Sequence, residues 1–196
     1  QPQEVWDHYR LLQARWGLDS LPLTELMEAM IGEQEGVRIQ TEAELLKYCH
    51  GVAGTIGLMT CPIFGVTNPV AMQHADDLGI AMQLTNIARD IYEDALMDRI
   101  YLPQDWIKNT QIAELTKMSP NKNPILIKTA MSQLIELSET YYKNGFAGMR
   151  YIPIKTRLAI FFAAKIYRAI GQKIKKNNYD YSFKRVYVSK FEKFLV

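Results

Sequence analysis

The sequence predicts an all-α fold, a bundle of helices in one domain that spans residues 1–196. Apolar residues recur at helical spacing along most of the chain, and no run alternates apolar and polar residues as a half-buried strand would. Start and stop signals for helices follow one another in order. With 196 residues, 48% of them hydrophobic, the chain is long enough to bury a substantial core.

The first two helices are defined by their boundary residues. Apolar side chains recur at helical spacing over residues 5–16, and Gly17 ends this helix. The sequence "DSLP" at 19–22 combines polar capping residues with a proline. It starts a second helix, which we expect to run to about Gly36.

The next two helices have clearer start signals. The sequence "TEAE" at 41–44 has the form of a capping box and opens a third helix, which Pro62 and Gly65 should end. Asn68-Pro69 supplies an N-cap followed by a proline in the first turn, so a fourth helix runs from here through about Asp94.

The rest of the chain is predicted to be helical after one connection. That connection lies around Pro103, with a short helix within 104–116. The remaining segments are a helix from Asn123-Pro124 to about Asn144, a helix over 154–176, and a C-terminal segment from about 182.

Composition and charge exclude some classes of function. The formal net charge of +2 is too small to indicate nucleic-acid binding, and we expect none. The run 51–75 lacks charged residues, but prolines and glycines interrupt it, so it predicts a buried helix pair rather than a membrane span. No signal peptide is evident, so we expect a cytoplasmic protein, and the basic C-terminus leaves peripheral contact with the inner membrane face open.

Cys49 and Cys61 lack metal-type spacing and are predicted to be buried free thiols.

A polar seam distinguishes the fourth helix. At 100° per residue, four polar side chains fall within an arc of about 80°. They are Gln83, Asn86, Asp90 and Asp94. Two carboxylates four residues apart repel each other on a bare helix, and a divalent cation would turn that repulsion into attraction. Mg²⁺ prefers oxygen ligands and is commonly shared between carboxylates and phosphates, but a solvent-facing stripe has the same spacing, so both interpretations stay open here.

Longer motifs favour the interpretation of the polar seam as a magnesium site over that of a solvent-facing stripe. Two of them, "YCHGVAGTIGLM" at 48–59 and "LGIAMQLTNIARDIYEDALMDRIYLPQD" at 78–105, closely resemble the squalene/phytoene synthase family, with the phytoene synthases nearest. The resemblance continues through "AAKIYRAI" at 163–170 and "NNYDYSFKRVYVSK" at 177–190. It covers the chain from about Glu33 onward.

The resemblance implies an isoprenoid-synthase-type bundle around a central cavity, here lacking the N-terminal helices. It implies Mg²⁺-dependent, head-to-head joining of two prenyl diphosphates, with geranylgeranyl diphosphate giving phytoene in carotenoid biosynthesis. In such enzymes one diphosphate ionises, the second substrate captures the allylic cation as a cyclopropylcarbinyl diphosphate, and a second ionisation follows. The alternatives are a squalene or dehydrosqualene synthase that uses farnesyl diphosphate, or a non-catalytic family member that acts as an assembly protein.

The resemblance also assigns roles to individual residues. Asp90 and Asp94 match the family's second Asp-rich motif, and are expected to be catalytic and to bind Mg²⁺. The expected substrate-binding residues are Tyr48, Gln83, Asn86, Arg89, Arg99, Tyr167 and Arg185. Three glycines at i, i+3 and i+6 are expected to line the cavity for a prenyl chain, with close helix packing as the alternative. They are Gly51, Gly54 and Gly57.

Two departures from the family pattern limit the synthase activity that we expect of this chain. No first Asp-rich motif is found in these residues, and Glu33 stands where relatives often have Asp. Because one Asp-rich helix supplies only half of a metal site, we expect little synthase activity from this chain alone. We therefore expect that a complementing N-terminal segment or self-association accompanies function.

Overall fold

The computed structural model describes residues 2–116, 123–181 and 186–189. It contains nine α-helices in these ranges. They are α1 (Pro2–Trp16), α2 (Leu21–Gly32), α3 (Glu42–Cys49), α4 (Thr55–Ile63), α5 (Pro69–Leu96), α6 (Gln104–Ile107), α7 (Ile112–Leu115), α8 (Pro124–Ala147) and α9 (Ile154–Lys176). The all-α prediction is confirmed. Arg185 and most of the segment predicted from 182 onward lie outside the described residues, and 186–189 is not helical.

Two of the predicted helix starts, those of α3 and α5, have side-chain caps. Thr41 accepts a hydrogen bond from the backbone N–H of Glu44 at 3.2 Å. The Glu44 carboxylate accepts one from the backbone N–H of Gln40 at 2.8 Å, one residue earlier than in a standard capping box. Asn68 accepts from the N–H of Val70 at 2.9 Å, which fixes the start of α5.

Helix α5 forms the centre of the molecule. It packs along much of its length against α8, and it also contacts α4 and α9. Its fully buried apolar side chains, such as Leu84 and Ile87, meet buried residues of α8, such as Met131 and Leu134. Burying each such side chain contributes roughly 1.5–3 kcal/mol. The polar seam therefore lies on a helix that is held in place by extensive apolar packing.

Three features of the structure were not predicted. The second helix ends at Gly32 and a 3₁₀ turn at Glu33–Glu35 follows, where the sequence predicted helix to about Gly36. The predicted third helix is interrupted by a π-helical turn at His50–Gly54, here called the π segment, which the helical spacing of the apolar residues did not indicate. Two short strands, β1 (Val37–Arg38) and β2 (Arg99–Ile100), pair in parallel, although the sequence has no alternating run at either position. Two-residue strands are too short to show an alternating pattern.

Both cysteines lie in the interior of the fold. Cys49 and Cys61 are both buried and free, as predicted. Burial raises the pKa of both thiols, which makes them poor nucleophiles at neutral pH. In the described ranges, no helix is both long and apolar enough to cross a membrane.

His50 links the π segment to two helices. Its Nδ1 lies 2.7 Å from the Asp76 carboxylate on α5, and its Nε2 lies 3.3 Å from the Glu25 carboxylate on α2. Burial lowers the pKa of His50, but the Asp76 and Glu25 carboxylates raise it, and the net pKa lies above its ordinary value. The imidazolium form therefore stabilises the fold more than the neutral form does.

We expect His50→Gln to be less stable than the unmodified chain at pH 6, by about 0.5–1 kcal/mol for this partly exposed cluster. The folded pKa is raised, so the contribution is complete below the unfolded value of about 6.5 and is lost as pH rises through the folded value. Thermal melting between pH 5.5 and 9 measures it. The difference between the two proteins should shrink with rising pH, and a constant difference would contradict the assignment.

Candidate active site

A polar cavity of about 210 Å³ lies beside the C-terminal half of α5. Its walls come from α5, from α3, from the turn after α2, and from β2 with the residue that follows. The lining residues are Glu33, Tyr48, Gln83, Asn86, Ile87, Arg89, Asp90, Asp94, Arg99 and Tyr101. The four residues of the seam face this one cavity, so the helical spacing placed them correctly, while their chemical roles stay predictions.

Asp90 lies at a break in α5. Its backbone has φ −107° and ψ 15°, outside the helical range, within a helix that continues to Leu96. Arg89 donates to both carboxylate oxygens of Asp90, from Nε at 2.7 Å and from a terminal nitrogen at 2.5 Å. These hydrogen bonds raise the pKa of Arg89, and Tyr167 adds to the effect. The pair places a cation and an anion together on the cavity wall.

Asp94 is the carboxylate whose charge is least stabilised. Burial raises its pKa to about 7, and the neighbouring charge of Asp90 acts in the same direction, while Arg99 opposes the shift. Near neutral pH an appreciable fraction of Asp94 is therefore protonated in the ligand-free chain. A cation bound between the two carboxylates would favour the charged form.

The opposite wall contains a carboxylate shared by two other residues. Glu33 accepts a hydrogen bond from the hydroxyl of Tyr48 at 2.5 Å, and its other oxygen lies 3.4 Å from a guanidinium nitrogen of Arg99. The ring of Tyr48 stacks on that of Tyr101, with centroids 4.8 Å apart. These contacts hold side chains from α3 and β2 in one arrangement.

A second, apolar cavity of about 390 Å³ adjoins the polar one. Gln83 and Asn86 line both cavities, and Asn86 donates to the side-chain oxygen of Gln83 at 3.3 Å. In the described structure the buried side-chain oxygen of Asn86 has no hydrogen-bond partner. A buried acceptor without a partner is unfavourable, and it is a candidate ligand for a cation or an ordered water.

The apolar cavity follows α5 toward its N-terminus. Its lining on that helix extends from Asn86 to Ala71, fifteen residues or about 22 Å at the rise of an α-helix. Tyr167 of α9 lines it, and Phe64 and Val66 lie along its wall. The arrangement is a charged chamber beside a long apolar one, with Gln83 and Asn86 in the lining of both.

The structure separates the three predicted cavity glycines. Gly57 lines the apolar cavity, and a Cβ there would lie 2.5 Å from the carbonyl oxygen of Ala75. Gly51 faces Ala29 of α2, and Gly54 faces Asp76. Neither Gly51 nor Gly54 lines the cavities described above, so for these two the structure favours the alternative of close helix packing.

Sequence reasoning did not place Glu33 and Tyr101 in the site. Tyr101 could have been found, because residues two apart in an extended segment share a face and Arg99 precedes it by two. For Glu33 the signal was its match to a position where relatives often have Asp, but its contact with Arg99 is made only through the tertiary fold. Of the predicted substrate-binding residues that the structure describes, Tyr167 lines the apolar cavity and the others line the polar one.

The donor set fits one side of a magnesium site. Asp90 and Asp94 offer carboxylate oxygens, and Asn86 offers the amide oxygen that lacks a partner. Among the described residues, no group of three or more His, Cys, Asp or Glu side chains could hold a metal ion. Further ligands would have to come from water, substrate phosphates or another polypeptide segment.

Comparison with known proteins gives a consistent result. The squalene/phytoene synthase family model matches residues 1–192. The 15-cis-phytoene synthase of Enterobacter agglomerans is 41% identical over 137 residues, which are 70% of this chain and 46% of that protein. The phytoene synthase of Thermus thermophilus is 35% identical over 182 residues, 93% of this chain and 62% of that protein.

Solved structures share the fold. A dehydrosqualene synthase in complex with ligand superposes with a TM-score of 0.82 at 27% identity, over 97% of this chain and 67% of that one. A squalene synthase from Alicyclobacillus acidocaldarius gives a TM-score of 0.78 at 20% identity, over 87% of this chain and 64% of that one, and shows the fold alone. The chain spans about half the length of several curated relatives that it matches.

Proposed function

The chain belongs to the squalene/phytoene synthase family, and on that premise we propose that it forms one half of the active site of a prenyltransferase that joins two prenyl diphosphates head to head. The observation that carries the proposal is the junction of the two cavities at Gln83 and Asn86. A prenyl diphosphate has a strongly charged head on a long apolar tail. A charged chamber that continues into an apolar one matches both parts of such a molecule.

The residues of the polar cavity have distinct tasks in this proposal. Asp90 and Asp94, with the free acceptor of Asn86, would hold Mg²⁺, which neutralises a departing diphosphate when it is bound. Arg89 and Arg99 supply positive charge for the phosphate oxygens. In the ligand-free chain Arg89 is hydrogen-bonded to both oxygens of Asp90, so a cation on Asp90 would share or replace this contact and release the guanidinium toward the phosphate.

The apolar cavity protects the reactive part of the substrate. An allylic cation formed beside Asn86 would be captured by water in an open site, so the reaction requires a dry wall. Side chains such as Met82, Leu78 and Ile160 provide that wall, and the ring of Tyr167 lies at the same cavity. An aromatic face stabilises positive charge without acting as a nucleophile.

The length of the apolar cavity favours the longer substrate. Each isoprene unit adds four carbon–carbon bonds, about 5 Å in an extended chain. The lining of about 22 Å along α5 therefore suits the four units of geranylgeranyl diphosphate, and the three units of farnesyl diphosphate would leave its far end empty. We propose geranylgeranyl diphosphate as the substrate and phytoene as the product of the complete site.

The proposal predicts binding without efficient turnover by this chain alone. Isothermal titration calorimetry with geranylgeranyl diphosphate should show binding that requires Mg²⁺ and disappears with EDTA. Farnesyl diphosphate should bind about tenfold more weakly. It buries fewer CH₂ groups, each of which contributes about 0.8 kcal/mol to binding, and the smaller entropy cost of ordering its shorter chain partly offsets that difference. Extraction of apolar lipid after incubation should give little phytoene.

Three results would contradict this proposal in different ways. Absence of any Mg²⁺-dependent binding would exclude the diphosphate site. Equal affinity for the two substrates would exclude the length argument alone. Robust phytoene formation by the isolated chain would show that a half-site suffices, against the expectation from a seam that offers only two carboxylates, Asp90 and Asp94, to a metal ion.

A further inference from the structure

Glu33 lies where electrostatics alone would not place a carboxylate. It lines the same cavity as Asp90 and Asp94, and its side chain is about one-fifth exposed. A third negative charge in a chamber that receives a diphosphate would oppose anion binding. Its presence therefore requires a compensating effect, and the contacts of its two oxygens suggest one.

Each oxygen of Glu33 holds a different cavity residue. One oxygen accepts from the hydroxyl of Tyr48 at 2.5 Å, and the other lies 3.4 Å from Arg99. Glu33 sits in the 3₁₀ turn after α2, Tyr48 on α3 and Arg99 on β2, so one side chain ties three elements together. Tyr48 and Arg99 are too far apart in sequence for any local contact to set their relative positions.

The backbone around Glu33 is held rigidly enough for such a role. The parallel pairing of β1 with β2 fixes the chain just after Glu33 beside Arg99. Arg38 and Asp98 strengthen the same connection through an ion pair at 2.6 Å. The separation of Glu33 from Arg99 is thus set by the fold as well as by the two side chains.

We propose that Glu33 is a positioning residue of the polar cavity, which holds the hydroxyl of Tyr48 and the guanidinium of Arg99 on the wall that faces a bound diphosphate. The proposal rests on the proposed function, because it requires the cavity to bind a diphosphate. Glu33 has no direct contact with substrate in this role. It acts by keeping Arg99 from adopting the many other rotamers open to a partly exposed arginine.

The direction in which Glu33→Ala changes the affinity for diphosphate tests this proposal. Titration with inorganic diphosphate and Mg²⁺, followed by ³¹P NMR, measures affinity in the unmodified chain and in Glu33→Ala. Positioning predicts about tenfold weaker binding in the alanine variant, since loss of a supporting contact commonly has a 10–100-fold effect. Simple charge repulsion predicts the opposite, tighter binding. Glu33→Gln keeps an acceptor of the same length and loses the charge, so it should remain within about threefold of the unmodified chain.

Two further variants separate positioning from damage to the fold. Glu28→Ala removes an exposed carboxylate of α2 outside the cavity and should leave diphosphate affinity unchanged. In an Arg99→Ala background, Glu33→Ala should weaken binding much less than it does in the unmodified chain, because only the contact with Tyr48 is then left to lose. Thermal melting should show that all variants are folded at the temperature of the titration.

The outcomes distinguish this inference from the function on which it rests. Unchanged or tighter binding in Glu33→Ala, with a normal unmodified chain, overturns the positioning role alone. Additive losses from Glu33→Ala and Arg99→Ala overturn it as well. Absence of Mg²⁺-dependent diphosphate binding in the unmodified chain overturns the proposed function and this inference together.

Discussion

Replacing Asp94 with asparagine is expected to weaken Mg²⁺-dependent binding of geranylgeranyl diphosphate by at least about 100-fold, because it removes one of two carboxylate ligands. The same substitution is expected to stabilise the ligand-free chain at pH 8. Burial and the charge of Asp90 raise the pKa of Asp94 to about 7, so the ionised group destabilises the fold there, and asparagine carries no charge. Calorimetry measures the first effect. Thermal melting measures the second, an increase of about 2–4 °C for each kcal/mol in a chain of this size.

The pH dependence provides a check on the same residue. Because the folded pKa of Asp94 lies above its unfolded value of about 3.9, stability from this group falls as pH rises from about 4 to 7. Metal binding should strengthen over pH 6–8 in the unmodified chain and lose this dependence in Asp94→Asn. The matched control is Glu93→Gln, which removes an equal charge from the neighbouring residue outside the cavity lining. A similar loss of binding in both variants would contradict a specific role for Asp94.

Replacing Gly79 with alanine is expected to destabilise the fold by about 2–3 kcal/mol, since added atoms in a packed contact force backbone to move. A Cβ on Gly79 would lie 2.6 Å from the carbonyl carbon of Ala53 and 2.8 Å from the backbone nitrogen of Gly54. Both atoms belong to the π segment, so no side-chain rotation relieves the clash. The loss is expected even though alanine favours helix over glycine by about 1 kcal/mol. Denaturant unfolding measures the free energy directly.

Gly32→Ala is the matched control for this prediction. A Cβ at Gly32 meets no atom within 4 Å, and its backbone is helical. That variant should be unchanged or more stable by about 0.5–1 kcal/mol. Equal stability of the two alanine variants would show that the π segment can shift away from α5, contrary to the close contact described here.

The helical parts of the fold could be predicted because their signals are local. Asn68 and Thr41 cap helices with their own neighbours, and the seam on α5 follows from the turn angle of a single helix. The length of α5 was also well predicted, since this helix ends at Leu96, two residues beyond the predicted Asp94. Local chemistry and helical geometry were sufficient for these features.

The parts that could not be predicted depend on contacts between distant residues. The ion pair of Glu33 with Arg99 joins positions 66 apart, and no spacing rule relates them. Gly51 and Gly54 were expected at the cavity, but their environment is set by Ala29 and Asp76, which the sequence alone does not bring near. The π segment widens one turn within the predicted third helix, and no spacing rule indicated it. Each of these features requires the three-dimensional packing of α2 and α5.

Because α5 lines both the polar cavity and the apolar one, the length of this helix sets the distance between the two ends of the combined site. The distance from Asp90 to Ala71 is fixed by the rise of one continuous backbone, and no loop in between can absorb a change. Inserting or deleting two turns, seven residues, would change that distance by about 10 Å, close to two isoprene units, and return the side chains to nearly the same face. Under the proposed function, such a change would alter the length of prenyl chain that the apolar cavity accepts, with Asp90 and Asp94 left unchanged.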